Sequence, residues 1–234
     1  MSLLTDLEAY YKLDEASGNR SDSVGSNTLT DVNTVPGVAG IINDGADFES
    51  SNAEHLSTST PFTTATTDFS ISMWYKPESI GAYQSLIQNG RQANFWNILI
   101  TSGGVFEFFE DNIAEYPSTS TLTAGNWYHL VAVKSSNGAG NMQYYVNGAS
   151  AGTASVGTIT TPTTAAYLGA YTANGSSFVY YTDGILDEVG IWSRSLTSGE
   201  VSDLYNSGAG LGYDDFGGGG PAAQTARRGV VMMM

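Results

Sequence analysis

Short stretches of alternating apolar and polar residues recur along most of the chain, and turn-forming residues separate them. The clearest stretch is 69–76, FSISMWYK, in which every second residue falls on one face of a strand: Phe69, Ile71, Met73 and Tyr75. The same pattern predicts further strands at 7–15, 45–49, 54–57, 85–88, 95–101, 105–109, 127–135, 142–147, 149–156, 166–171, 178–181 and 184–196. Many short strands with almost no helix predict an all-β fold in which two antiparallel sheets form a sandwich.

The predicted strand at 184–196, GILDEVGIWSRSL, is apolar on both sides, which is typical of a strand covered by other layers. Regular alternation divides it into two faces, one with Ile185, Asp187, Val189 and Ile191 and the other with Leu186, Glu188 and Trp192. An unpaired carboxylate among apolar neighbours is costly. Asp187 is therefore expected either to accept several hydrogen bonds or to help hold a cation.

A short C-terminal helix is predicted directly after this strand. Thr197 and Glu200 have the spacing of a capping box, and Gly208 suits a helix end. The apolar face of the helix consists of Val201, Leu204 and Tyr205. This is the one helix that the sequence predicts.

The composition argues against several classes of function. Lys and Arg number 8 against 23 Asp and Glu, a formal net charge of -15, whereas nucleic-acid binding needs a basic surface. The chain has no cysteine and so no disulfide or thiol chemistry. Neither a signal peptide nor an apolar run long enough to insert into a membrane is visible. These features suit a protein released by lysis or packed into a virion, and also a mature extracellular protein that has lost its leader.

Residues 213–234, YDDFGGGGPAAQTARRGVVMMM, differ in character from residues 1–212 and are predicted to form a flexible tail. A glycine run separates two acids and a phenylalanine from a basic and apolar end. Such a tail is a candidate assembly anchor that docks on another protein. The residues expected to make this contact are Phe216, Arg227, Arg228, Val230 and Val231.

Seven segments resemble, in order, the laminin G-like branch of the concanavalin A-like lectin/glucanase superfamily. They are AYYKLDEASGNRSDSVG at 9–25, GADFE at 45–49, FSISMWYKP at 69–77, NWYHLVAVK at 126–134, YYVNG at 144–148, AYLGA at 166–170 and GILDEVGIWSRSLTSGEVSDLYNSG at 184–208. The resemblance implies a jelly-roll sandwich over residues 1–212, with its last strand closed by the short helix. Leu186, Asp187, Glu188 and Arg194 stand at matching family positions.

The superfamily contains lectins, adhesive modules, pentraxins and glycoside hydrolases, so the resemblance alone does not give the function. Laminarinase-type members carry two catalytic glutamates around an aspartate, alternating as E-x-D-x-E on one strand. The acidic clusters at 107–111 and 49–54 lack that alternation, and the first is interpreted as a strand end that runs into a turn. His55 and His129 do not suggest a histidine metal site. The chain is predicted not to be an enzyme, and a glycoside hydrolase is the disfavoured alternative.

The resemblance also implies one metal candidate, a structural calcium. Some relatives hold calcium between the first-strand region and an aspartate on the last strand, the position that Asp187 occupies. Asp14, Glu15 or Asp22 would complete the shell of oxygen ligands. In the alternative interpretation, Asp187 accepts backbone N–H bonds and fixes the strand edge.

Carbohydrate binding needs exposed aromatic rings that stack on sugar faces and polar groups that fix the hydroxyls. The candidate aromatic and polar residues are Tyr83, Trp96, Tyr116, Tyr171, Asn94 and Asn174. For Trp96, a core position in the predicted strand 95–101 is the alternative.

Two classes of function agree best with these observations. The first is a non-enzymatic, lectin-like module on a virion surface, such as a bacteriophage decoration, fibre or tail component, held to other virion or surface proteins by its tail. The second is a secreted or cell-surface carbohydrate-binding module. Both admit glycans as ligands, and the sequence leaves a homo-oligomer open.

Overall fold

The structure is a computed structural model that describes residues 2–62, 68–91, 94–110, 114–136, 140–157, 159 and 161–217. Its strands form two antiparallel sheets that pack face to face around one apolar core. The predicted all-β sandwich with one short C-terminal helix is thereby confirmed. Within the described residues, no helix is long and apolar enough to cross a membrane.

The first sheet contains eight of the described strands and runs in the order β13-β12-β11-β6-β17-β4-β3, with β1 pairing with β17 as well. Its strands are β1 (Leu7–Tyr11), β3 (Gly37–Ala39), β4 (Asp44–Phe48), β6 (Phe69–Pro77), β11 (Tyr128–Lys134), β12 (Met142–Val146), β13 (Ala149–Ala154) and β17 (Gly184–Trp192). The strand β17 lies at its centre, because it pairs with β6 on one side and with both β1 and β4 on the other.

The second sheet contains seven described strands in the order β10-β9-β8-β7-β14-β5-β2. Its strands are β2 (Thr30–Val32), β5 (His55–Ser57), β7 (Gln84–Arg91), β8 (Asn94–Ile100), β9 (Val105–Glu110), β10 (Ala114–Thr121) and β14 (Ala166–Leu168). A small separate hairpin is formed by β15 (Tyr171–Thr172) and β16 (Phe178–Val179).

Alternate residues of facing strands fill the core between the sheets. The first sheet contributes the predicted face of β6, which is Phe69, Ile71, Met73 and Tyr75, and the second contributes Trp96, Ile98, Phe106 and Phe108. All of these side chains are at most 1% exposed. Because side chains alternate along a strand, their neighbours in sequence must point away from the core. On the second sheet this leaves an outward face that no helix among the described residues covers.

The predicted alternation along the last strand is wrong at its middle. The register of β17 shifts between Asp187 and Gly190, and Glu188 has a positive φ of 50°. This β-bulge inserts one residue, so Leu186 and Val189 both face the core although three positions separate them. Asp187 therefore does not share a face with Val189.

The outer face of the first sheet is covered by the helix α1 (Ser198–Tyr205) and by the segment that follows it. The predicted capping box is present: Glu200 N donates to Thr197 Oγ1 at 3.2 Å, and Thr197 N donates to Glu200 Oε2 at 2.8 Å. Arg194 Nη2 also donates to Glu200 Oε1 at 2.7 Å. The helix ends at Asn206, which adopts the left-handed conformation two residues before Gly208.

Phe216 belongs to this packed layer and not to a free tail, which corrects the sequence interpretation. It is 5% exposed, and its ring lies 5.2 Å from that of Tyr10 and 6.4 Å from that of Trp192. The aromatic surface of these two residues explains why the chain stays packed past residue 212. The other proposed anchor residues, Arg227, Arg228, Val230 and Val231, lie outside the described residues.

The capping box gives a prediction about stability. Replacing Thr197 with Ala removes the acceptor for Glu200 N, and we expect it to lower the free energy of unfolding by about 1 kcal/mol. Urea unfolding of wild type and variant measures the change. Ser198→Ala is the matched control, since Ser198 is an exposed neighbour on the first turn of the helix. An equal loss in both variants would contradict the role of the cap.

Candidate functional site

A cleft of about 310 Å³ opens on the outward face of the second sheet. Strands β8, β9 and β10 form its floor, and the small β15–β16 hairpin forms one side. The residues that line it are Tyr83, Asn97, Leu99, Glu107, Phe109, Glu115, Tyr171 and Tyr180.

Strand register explains why the floor residues meet. Asn97 is paired with Phe109, and Leu99 with Glu107, across β8 and β9. Phe109 is paired in turn with Glu115 of β10. Directly opposed residues of an antiparallel pair point to the same side of the sheet. The two carboxyl groups are therefore diagonal neighbours on one surface.

The β15–β16 hairpin is fixed over the sheet by a buried glutamine. Thr172 N donates to Gln88 Oε1 at 2.8 Å, and Gln88 Nε2 donates to Thr172 O at 2.7 Å. At the far end of the hairpin, Ser85 N donates to Tyr180 O at 2.8 Å. Tyr180 itself has φ 53°, which is uncommon for a bulky residue. Such conformations persist where the surrounding structure enforces them, and they are common at binding sites. The ring of Tyr180 lines the cleft.

Aromatic rings form a continuous wall beside the floor. The ring centroid of Tyr83 lies 5.4 Å from that of Tyr180, and the ring centroid of Tyr180 lies 5.6 Å from that of Tyr171. Tyr171 contacts Phe95 at 5.7 Å, and Phe95 contacts Phe109 at 5.9 Å. Tyr83 and Tyr180 remain 36% and 46% exposed. Since large aromatic side chains normally bury their faces, these two rings present apolar surface to a ligand.

Two buried polar atoms of the floor have no hydrogen-bond partner. Asn97 is fully buried, and its Oδ1 accepts from Ser85 Oγ at 2.9 Å, but its Nδ2 is unpartnered. Glu107 is 3% exposed, and its Oε1 is unpartnered too. A buried donor or acceptor that makes no hydrogen bond costs about 1–3 kcal/mol of folding free energy, so such groups are rare in native proteins. Both atoms belong to residues that line the cleft.

Burial, together with the nearby negative charge of Glu115, raises the pKa of Glu107 from 4.5 to about 7. The carboxyl group of Glu107 therefore exchanges its proton near neutral pH. In its protonated form it can donate one hydrogen bond and accept others, as a hydroxyl ligand requires.

The structure brings two of the six predicted sugar-binding residues into the cleft, Tyr83 and Tyr171. Trp96 is not available to a ligand, so of the two predicted positions the structure confirms the core position and not the sugar-binding one. It is fully buried and stacks in the sandwich core at 5.5 Å from Phe69 and 6.2 Å from Phe108. Successive side chains of a strand point to opposite faces, so Trp96 must face inward because its neighbour Asn97 faces outward.

The other three candidates lie elsewhere. Tyr116 packs against the core with its ring 6.3 Å from Phe108. Asn174 Oδ1 accepts from Ser176 N at 2.8 Å and from Ser177 N at 2.9 Å, so it organises the hairpin turn. The side chain of Asn94 falls outside the described residues.

Sequence reasoning missed Asn97, Glu107, Phe109, Glu115 and Tyr180. A signal existed for the first two, because each is a polar residue inside a predicted apolar strand, in NFWNILI and VFEFFE respectively. Glu107 was interpreted as part of a strand end near a turn, yet it lies inside β9. Nothing local marked Tyr180, whose position depends on the hairpin folding back over the sheet.

Asp187, the calcium candidate, lies apart from the cleft and is fully buried. Its Oδ2 accepts from Ile41 N at 2.7 Å and from Ile42 N at 3.0 Å, in line with the backbone-bonding interpretation. Its Oδ1 has no partner, and neither has Oε1 of the adjacent Glu188. Burial raises the pKa of Asp187 to about 7 and that of Glu188 to about 8. These two carboxylate oxygens would supply two of the six to eight oxygen ligands that calcium takes.

Among the three acids expected to join Asp187, Asp14 lies close enough for its charge to raise the pKa of Asp187. Glu15 Oε1 instead accepts from Ser21 N at 2.7 Å, and Asp22 accepts backbone N–H bonds from its own loop. A second acidic cluster on the described part of the chain consists of Asp47, Glu49 and Glu78, whose oxygens lie within 4.8 Å of one another and could bind a metal ion.

The family model Laminin_G_3, of the concanavalin A-like lectin/glucanases superfamily, matches residues 49–202, more than half of the chain. The chain belongs to this superfamily. The match includes four of the seven resembling segments in full and most of 184–208, whereas 9–25 and nearly all of 45–49 precede it. It also contains every residue that lines the cleft. No curated protein sequence matches the chain.

Several solved structures share the fold. Domain 4 of the extracellular arabinanase AbnA from Geobacillus stearothermophilus, in complex with arabinotriose, is 22% identical with a TM-score of 0.66, over 86% of this chain and 98% of that one. The binding domain of Paraclostridial Mosquitocidal Protein 1 is 17% identical with a TM-score of 0.67, over 88% and 53%. Trypanosoma rangeli sialidase with sialic acid is 14% identical with a TM-score of 0.64, over 89% and 34%. This chain spans about half the length of the mosquitocidal-protein chain and about a third of the sialidase chain.

The buried carboxyl of Glu107 gives a pH-dependent prediction. Its folded pKa of about 7 exceeds its ordinary value of 4.5, so its contribution to stability is full below pH 4.5 and is lost as pH rises through about 7. Glu107→Gln removes this loss. We expect the stability of the variant relative to wild type to improve by up to roughly 3 kcal/mol between about pH 4.5 and pH 8.

Urea unfolding at both pH values measures the difference. Asp203→Asn is the control, since Asp203 is exposed on α1 and its removal changes the net charge equally. If the free energies of unfolding of Glu107→Gln and wild type differ by the same amount at both pH values, the raised pKa of Glu107 is contradicted.

Proposed function

We propose that the chain is a non-enzymatic carbohydrate-binding module whose cleft binds a short stretch of a glycan. The observation that carries the proposal is the meeting of exposed aromatic rings with unpartnered polar atoms in one cleft. Tyr83 and Tyr180 supply the rings, and Asn97 Nδ2 and Glu107 Oε1 supply the polar atoms.

A sugar ring offers the complementary chemistry. Its C–H faces are apolar and stack on aromatic rings, whereas its hydroxyl groups both donate and accept hydrogen bonds. A volume of about 310 Å³ lies at the lower end of the range for small-molecule sites and suits one or two sugar residues. The remaining sugars of a longer glycan would extend into solvent from the open side.

The nature of the structural neighbours supports the same class of function. One of them is a domain of an arabinanase in complex with arabinotriose, and another is the binding domain of a toxin. Arabinotriose is therefore a sensible first probe for this chain. These likenesses concern the fold, so the choice of sugar rests on the residues of the cleft.

Glycoside hydrolysis is the second candidate, because Glu107 and Glu115 place two carboxyl groups in the same cleft. A retaining mechanism uses two such groups about 5–5.5 Å apart, one of them with a raised pKa. We favour binding without hydrolysis, since neither carboxyl belongs to an E-x-D-x-E strand. Release of reducing sugar by wild type, abolished in Glu107→Gln, would favour the hydrolase.

A role on a virion or cell surface, with attachment through the chain end, stays a prediction from the sequence. Phe216 is withdrawn from that proposal because it packs in its own domain. Residues 218–234 carry what is left of it, including the basic pair Arg227 and Arg228.

We further propose that Asp187 and Glu188 hold a structural calcium ion. The support is the pair of unpartnered oxygens, Asp187 Oδ1 and Glu188 Oε1. About 5 mM CaCl₂ is expected to raise the Tm of wild type, because a cation that binds only the folded state stabilises it by mass action. The shift should disappear in Asp187→Asn and persist in Asp47→Asn, which alters the other acidic cluster. The opposite pattern would assign the ion to that cluster.

The carbohydrate proposal predicts a specific loss of affinity. Tyr180→Ala removes an exposed ring from the wall, and we expect it to weaken glycan binding about tenfold, equivalent to about 1.4 kcal/mol of stacking. Tyr180→Phe keeps the ring and should bind nearly as well as wild type. A glycan array followed by calorimetry on the strongest ligand, with arabinotriose included, provides the measurement.

Val24→Ala is the remote control, since Val24 is also an exposed apolar residue but does not line the cleft. Binding that is equally strong in Tyr180→Ala and in Val24→Ala would place the ligand elsewhere on the protein. Absence of binding to any glycan would remove the proposed function.

A further inference from the structure

Resting on the proposed function, we infer that the cleft selects neutral glycans and rejects those that carry carboxylates, such as uronic and sialic acids. Two features of its lining carry the inference. Glu107 and Glu115 place two carboxyl groups on adjacent strands of the floor, and none of the described residues that line the cleft is basic.

The charges of the cleft disfavour an anionic ligand. A carboxylate ligand normally needs a cationic partner, most often the planar guanidinium of arginine. Arg91, near the hairpin, donates from Nη1 to the backbone oxygen of Asn174 and does not line the cleft. A ligand carboxylate would instead join Glu107 and Glu115, and like charges that share a site oppose each other's ionisation.

The hydrogen-bonding groups of the floor also favour hydroxyl groups over carboxylates. The unpartnered atoms of the floor are one donor, Asn97 Nδ2, and one carboxyl oxygen, Glu107 Oε1. Hydroxyl groups can satisfy both, since each of them donates one hydrogen bond and accepts others. An ionised carboxylate only accepts, so it can serve Asn97 but leaves an ionised Glu107 without a donor.

The acids of the cleft act on a ligand separately from the overall charge of the chain. The chain has a formal charge of -15, which repels any anion. At physiological salt, however, exposed charges more than about 8 Å apart are largely screened. Rejection of acidic glycans should therefore depend on the acids of the cleft far more than on acids elsewhere.

The test uses pairs of oligosaccharides that differ only in the oxidation of C6, such as galacto-oligosaccharides and their galacturonate counterparts, at pH 8. Wild type is expected to bind the neutral member at least about tenfold more tightly, the factor that corresponds to one pKa unit of charge interaction. Glu115→Gln, which removes an exposed acid of the cleft, should lower the ratio of the affinity for the neutral member to that for the acidic member at least about threefold. Asp203→Asn, with the same change in net charge on α1, should leave the ratio unchanged.

The outcomes distinguish the two proposals. If wild type binds a neutral glycan through Tyr180 but binds the galacturonate equally well or better, the selectivity inference is wrong and the proposed function stands. If Glu115→Gln and Asp203→Asn change the ratio equally, local rejection is also wrong. If no glycan of either kind binds, or if binding is insensitive to Tyr180→Ala, the proposed function fails and this inference with it.

Discussion

The packing of two sheets against one another is the constraint on which the rest of the molecule depends. Burial of Trp96, Ile98, Phe106 and Phe108 in the shared core settles the orientation of β8 and β9. Every second residue of these strands must then face outward, whatever its chemistry. Asn97 and Glu107 form a common floor for this reason. Tyr180, which is far from both in sequence, lines the same cleft from the hairpin side. A shift of one residue in either strand would exchange floor and core.

The two outward faces of the sandwich have different roles. On the first sheet, α1 and the segment up to Phe216 cover the apolar surface of Tyr10 and Trp192. On the second sheet, the β15–β16 hairpin covers only part of the surface and leaves an aromatic wall beside an open floor. The buried apolar side chains are concentrated in the core and on the first outer face. The cleft, in contrast, leaves polar groups buried without partners, which costs free energy.

Much of the architecture could be predicted from the sequence, because it depends on local patterns. The alternation of β6 and the capping box of Thr197 and Glu200 are visible in a few consecutive residues, and both are found in the structure. The middle of β17 could not be predicted, since the bulge at Glu188 lies where β17 changes its partner from β4 to β1, and that change depends on distant parts of the chain. The side of the sheet on which Trp96 lies stayed open for a related reason. Parity along a strand can be assigned only once one inward residue is known.

The cleft was harder to predict than the fold, because three separate parts of the chain meet there. Tyr83 and Tyr171 stood out as aromatics near turns, but Tyr180 joins them only because Gln88 fixes the hairpin through Thr172. Asn97 and Glu107 looked like interruptions of apolar strands. Their importance comes from burial without partners, which is a property of the packed structure and not of the sequence pattern.

Binding of a glycan in this cleft is the central claim, and the side-chain amide of Asn97 is its most direct reporter. A titration of ¹⁵N-labelled protein with a neutral oligosaccharide, followed by NMR, would monitor that group and the backbone amides around it. We expect the largest shifts at the Asn97 side-chain NH₂ and at the backbone of Tyr83 and Tyr180. Shifts confined to the loop around Ile41 and Asp187, with the Asn97 amide unchanged, would contradict the claim.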